Sequence, residues 1–260
     1  MYVAQSGRAT APPVPSTSTD SPMTDTLTAA YTAAAAALGD FAPTVALEST
    51  DMPGELLTDP VWLADRVTDT GGRWACGDAR VNGTLWWYSA SSTLVAGPLA
   101  MLLGFGRAPD PAPGRLRIGL RDYGYLAAAR SDRLLAADAE FAPALRDACA
   151  SIIDPLARVC GATPRALWAI ASDSIANRAL GIGRELGRLE QGCALAAALC
   201  APPLLPPRYI DVTGAAGSRR FVRRSSCCLL YVTGRSNKCS SCPRRTPDDR
   251  ENALLQHIPG

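Results

Sequence analysis

The chain has 260 residues, 47% hydrophobic and 19% charged, which is enough for one good-sized core and too apolar for wholesale disorder. Its net charge of +2 hides an asymmetry: residues 1–218 carry 17 basic and 21 acidic side chains, whereas residues 219–245 carry eight basic ones and no acid. One histidine (His257) excludes paired-histidine haem ligation and two-histidine zinc sites. Nine cysteines without an apolar signal segment point to metal or redox chemistry in a reducing compartment rather than to disulfides.

Residues 1–23 are rich in Ser, Thr, Pro and Ala without an apolar period and read as a disordered leader, with Met23 as an alternative start. A helix-like run follows from Thr24 to Leu38. Thr58-Asp59-Pro60 opens another helix, a polar cap before a proline in the first turn, with Trp62, Leu63, Val67 and Trp74 on its inner side. From Val81 to Gly106 there are 26 uncharged residues. By length this is a membrane-span candidate, but Ser89–Thr93 is weakly apolar and Pro98 should interrupt it, so a buried central helix is expected. Pro109–Gly114 is a loop. Arg115–Leu120 alternates like a strand, and Asp122-Tyr123-Gly124 turns into a second one.

Phe141–Cys160 is the clearest helix, with Leu145, Cys149, Ile152, Ile153, Leu156, Val159 and Cys160 on one face. The next opens at Thr163-Pro164 and runs through Leu167, Trp168, Ala171 and Ile175. Gly181–Gly187 is similar to a dinucleotide loop, but Leu186 stands where its last glycine belongs, so it reads as helix. Residues 192–200 are helical and apolar until Pro202, Pro203, Pro206 and Pro207 end the segment. The expected architecture is α-rich α+β: a helical body over 24–207 with a small antiparallel β element, then an irregular C-terminal module over 208–260.

That module contains Cys227-Cys228, ten residues, then Cys239-Ser240-Ser241-Cys242-Pro243. Four thiols in sixteen residues signal a metal site, whereas Cys76, Cys149, Cys160, Cys193 and Cys200 are scattered and read as plain buried thiols. The Cys239–Cys242 turn suits two sulfurs on one metal. The adjacent pair is awkward for a single zinc ion and easier for a binuclear cluster, because neighbouring side chains diverge along extended chain; both metals stay open on spacing alone.

The pattern Cys-Cys-x10-Cys-x2-Cys, preceded by Arg224-Ser225-Ser226, followed by Leu229-Leu230-Tyr231 and closed by Cys242-Pro243, resembles the FhuF-type ferric-siderophore reductases over about 20 residues. A weaker likeness lies at Pro164-Arg165-Ala166-Leu167-Trp168, where Ala169-Ile170 replaces the family's Gly-Asn. The resemblance implies that Cys227, Cys228, Cys239 and Cys242 bind a [2Fe–2S] cluster. It also implies one-electron reduction of a ferric siderophore to release Fe(II), in the cytoplasm, with electrons from a ferredoxin- or flavodoxin-type donor protein. It leaves room for peripheral association with the inner face of the cell membrane; nucleic acid is not an expected partner. The eight basic residues would favour the reduced cluster or attract anionic partners. Trp86, Trp87 and Trp168 are expected in the core. Rival readings are a zinc- or iron–sulfur-containing nucleic-acid-binding or regulatory protein, and a non-enzymatic electron-transfer role for the same cluster.

Overall fold

The computed structural model describes residues 22–37, 39–45, 52–215 and 217–258, so residues 1–21 of the expected leader lie outside the described residues. The first helix, α1 (Pro22–Ala37), buries Tyr31, whose hydroxyl accepts a hydrogen bond from the Ser131 backbone amide at 2.7 Å. A two-residue strand, β1 (Met52–Pro53), precedes α2 (Pro60–Trp74). The α2 cap forms as its sequence predicts: the Asp59 carboxylate accepts from the Val61 amide at 2.8 Å, and Pro60 occupies the first turn. Leu63 and Val67 are buried, while Trp62 packs edge-on against Trp86 with centroids 6.0 Å apart. Trp74 is half-buried, its indole N–H donating to the Tyr125 hydroxyl at 2.9 Å.

Helix α3 (Ala79–Phe105) is the axis of the body. Asp78 caps it by accepting from the Arg80 and Val81 amides, and Gly106 ends it in the left-handed region at φ +59°. It runs unbroken through Pro98, contrary to the interruption expected there. The missing amide leaves one carbonyl without its helical donor, but α3 is packed on several sides and tertiary contacts hold the helix together. This helix is long and apolar enough to cross a membrane, yet 61% of its most apolar window is buried inside the protein. It is a central core helix, with Trp86 and Trp87 fully enclosed. Their indoles donate to the carbonyls of Gly124 and Leu167, pinning α3 to the sheet and to the start of α5 (Pro164–Glu185).

Strands β2 (Leu116–Arg121) and β3 (Tyr125–Ser131) form the expected hairpin, its Asp122–Gly124 turn carrying Tyr123 and Gly124 at positive φ. Strand β1 adds an antiparallel edge, so the sheet has the order β1-β2-β3. Helix α4 (Phe141–Cys160) buries Leu145, Cys149, Ile152, Ile153, Leu156 and Cys160, as their spacing predicts; Val159 is half-buried. The Thr163 hydroxyl caps α5, which carries Trp168 into the core and extends through the glycine-containing stretch to Glu185. Helix α6 (Leu189–Leu199) folds back on α5.

After the proline segment, β4 (Tyr209–Gly214) and β5 (Gly217–Val222) form a second antiparallel hairpin. The irregular cysteine-bearing segment and α7 (Pro247–Leu255) complete an α-rich α+β fold. Two small apolar clusters fasten this region to the body: Val222 against Ala176 and Leu180 of α5, and Cys228 against Val81 and Leu85 of α3.

Candidate metal centre

The chain enters the cysteine segment through Arg224-Ser225-Ser226, and a carboxylate on α5 fixes that tripeptide. Asp173, 4% exposed, accepts from the amides of Ser225 and Ser226 at 2.9 Å each and from the Ser226 hydroxyl at 2.6 Å. Its Oδ2 also lies 3.5 Å from Nε of Arg224, whose side chain is only 1% exposed. A buried carboxylate is tolerable only when hydrogen-bonded and paired, and these contacts meet both conditions. Arg224 then reaches outward: its guanidinium donates to Cys239 Sγ at 3.5 Å and lies 4.6 Å over the Tyr88 ring.

Directly after the adjacent cysteines, Leu229 adopts φ +65°, a region in which a branched L residue is strained by about 1–2 kcal/mol. This reversal aims the Leu229 amide at the Cys227 sulfur and the Leu230 amide at the Cys228 sulfur. Amides donating to sulfur favour the thiolate over the thiol. On the other side, the Cys242 amide donates to the Cys239 carbonyl at 3.1 Å and forms the turn expected of Cys-x-x-Cys.

The four predicted cysteines lie near one another as two thiol pairs, neither of which is the Cys239–Cys242 pair of the turn. Cys227 Sγ stands 3.9 Å from Cys242 Sγ, and the Cys228 thiol is hydrogen-bonded to that of Cys239. The hydrogen bond with Cys239 draws the Cys228 thiol well below its ordinary range and pushes Cys239 up, with Arg224 beside them. Burial raises Cys227. Cys228 and Cys242 are buried, while Cys227 and Cys239 are half-buried.

Two thiolates on one tetrahedral metal with bonds of about 2.3 Å stand about 3.8 Å apart, so Cys227 and Cys242 have the separation that one metal atom needs. Among the described residues, no three His, Cys, Asp or Glu side chains are grouped closely enough to hold a metal ion. The other five cysteines are free thiols, with Cys149, Cys160 and Cys200 buried and Cys76 and Cys193 half-buried.

The basic residues around the cysteines do not act as a uniform ring. Arg220 is held by Asp211 and Glu190, and Arg219 donates to the His257 carbonyl. Arg245 donates to the carbonyls of Cys239 and Lys238, while Arg224 donates to the Cys239 sulfur and Arg220 to that of Cys193, outside the motif. His257 folds back until its Nε2 is 2.7 Å from the Ser240 hydroxyl, between the two cysteines of the turn. Sequence reasoning missed Asp173, the Leu229 reversal and this histidine contact. For Asp173 a signal existed: it is the one charged residue between Ala166 and Ala176.

No protein-family model matches this chain, and a search of curated proteins finds no match.

Proposed function

We propose that the protein is a cytoplasmic ferric-siderophore reductase that holds a [2Fe–2S] cluster on Cys227, Cys228, Cys239 and Cys242. The observation that carries this reading is the convergence of the four cysteines of the FhuF-type motif as two facing thiol pairs, with backbone amides and one buried arginine directed at their sulfurs. When bound, such a cluster supplies one electron at a time, taken from a ferredoxin- or flavodoxin-type protein and passed to the Fe(III) of a siderophore, which then holds the resulting Fe(II) weakly.

The chain's residues set the conditions for that transfer. Arg224 places a positive charge and an N–H donor at Cys239, which stabilises the more negative, reduced state. Asp173 orients Arg224 and the two serines, so the first cysteine pair leaves a fixed stretch of backbone. The half-buried sulfurs of Cys227 and Cys239 leave one side of the centre close to solvent, and therefore within reach of donor and acceptor.

The test is stopped-flow oxidation of the reduced protein by ferric siderophore complexes. The reading predicts loss of the reduced-cluster spectrum faster than in chelate-free buffer; an unchanged rate would remove the reductase activity. Cys239→Ser should lose colour and iron together, whereas Cys149→Ser, a buried thiol of α4 outside the motif, should retain both. Full colour in Cys239→Ser would contradict the ligand assignment.

A further inference from the structure

A cleft of about 380 Å³ opens beside Cys227, where the first turns of α3 and α5 meet the cysteine segment. Three arginines from three elements surround it: Arg80 on α3, Arg165 on α5, and Arg244 just after the Cys-x-x-Cys turn. All three are exposed, and no carboxylate lines the cleft. Arg80 has the exposed Asp78 at 3.5 Å, whereas neither Arg165 nor Arg244 makes an ion pair among the described residues. Arg208 adds a fourth exposed cation nearby, donating to the hydroxyl of Ser225, a lining residue, at 3.1 Å. Ala166, Ala169 and Leu205 give the cleft an apolar part. Because Asp173 holds the amides of Ser225 and Ser226, which also line it, the cleft and Cys227 share one fixed frame.

The opening on the Cys228 side, of about 330 Å³, differs in charge and access. Its Arg73 and Arg121 lie 5.7 and 5.8 Å from the Tyr125 ring, and Asp122 offsets part of their charge. Cys228 is buried, whereas Cys227 is half-buried. Of the two clefts, only the one at Cys227 combines cations that lack a carboxylate in the lining with a sulfur near solvent.

We propose that this face docks an acidic ferredoxin-type protein, and that its electron enters through Cys227. The inference rests on the reductase reading above. Electron-transfer complexes are short-lived and bury less than about 1,200 Å², and exposed charges of opposite sign speed their formation more than they prolong it. Exposed arginines beside a small apolar patch have that composition. The guanidiniums project from three separate elements, a spread that suits a protein surface bearing several carboxylates. The step moves one electron from the donor's reduced cluster to the oxidised cluster of this chain; no bond forms or breaks and no proton moves.

The probe is an acidic plant-type [2Fe–2S] ferredoxin. Its oxidised form is titrated calorimetrically into the cluster-loaded protein, and its reduced form is mixed with that protein in stopped flow. Affinity and rate should both fall about tenfold between about 20 and about 300 mM salt. Arg165→Glu/Arg244→Glu should lower both about tenfold at low salt, whereas Arg73→Glu/Arg121→Glu at the other cleft should leave both within about twofold. Reduction by photoreduced deazariboflavin, an uncharged donor that needs no docking face, should be unchanged in either variant. Where the glutamates disturb the cluster, Arg165→Ala/Arg244→Ala gives the same reading with about a threefold loss. Wild-type affinity and rate in the Arg165/Arg244 variants, an equal loss in the Arg73/Arg121 variant, or a deazariboflavin rate that falls in step with the ferredoxin rate in both the Glu and the Ala variants would overturn the assignment. Salt-sensitive ferredoxin binding through Arg165 and Arg244, by a protein whose reduced cluster no ferric siderophore oxidises, would remove the reductase reading and leave the docking face. Full ferric-siderophore reduction with ferredoxin binding indifferent to both arginines would do the reverse.

Discussion

Asp173 connects the helical body to the cysteines. It accepts three hydrogen bonds from Ser225 and Ser226 and pairs with Arg224, all 51 to 53 residues away in sequence. Asp173→Ala leaves the Ser225 and Ser226 amides and a buried guanidinium without their acceptor. That should cost about 3–5 kcal/mol of stability, measurable as a lower denaturation midpoint, with reduced iron content on purification. Arg224→Ala removes a positive charge and a donor from Cys239, so it should lower the reduction potential in an anaerobic potentiometric titration. An unchanged potential would show that Asp173 already cancels the arginine's field at the sulfur. The four cysteines stood out by their spacing, because thiols close in sequence leave a local signature. Asp173 stood out only as the one charged residue between Ala166 and Ala176, and its role depends on a partner in another part of the chain. The crossed contacts of the sulfurs were equally hidden, as was the left-handed turn at Leu229, since nothing in the leucine side chain announces positive φ.

Among the helices, capping and close approach decide most of what can be tested. Asp78 holds the first turn of α3 through the Arg80 and Val81 amides, so Asp78→Ala should cost about 1 kcal/mol in chemical unfolding. Helices α5 and α6 meet where Gly192 lies against α5: a Cβ there would stand 2.3 Å from the Ala179 carbonyl oxygen, an atom that cannot rotate away. Gly192→Ala should therefore force the helices apart and destabilise the protein by about 1–3 kcal/mol. The starts of α2 and α5 were readable because Asp59-Pro60 and Thr163-Pro164 cap locally. The passage of α3 through Pro98 was not, since an isolated helix would break there and only packing from its neighbours sustains it. Likewise β1 is too short to leave a pattern of its own and exists through pairing with Arg117 and Ile118.

Across the whole molecule, the scattered cysteines and the clustered ones behave as two populations. Burial pushes the Cys149 and Cys200 thiols up to about 12, so in the folded protein at pH 8 both stay protonated and should resist alkylation by iodoacetamide, read by mass spectrometry. The sign of the pH effect follows: unfolding exposes thiols that ionise near pH 9. Their contribution to stability is thus complete below that pH and is lost as pH rises from about 9 towards 12. The α-rich α+β class was visible in helical periodicities and one strand pair, while the placement of the C-terminal segment against α3 and α5 required three-dimensional contacts.

The most direct measurement is metal and sulfide analysis, together with the visible and EPR spectrum, of protein purified without oxygen. The account predicts coloured protein with two iron atoms and two acid-labile sulfides per chain, and a paramagnetic signal that appears on one-electron reduction. Colourless protein with one zinc ion per chain would contradict it.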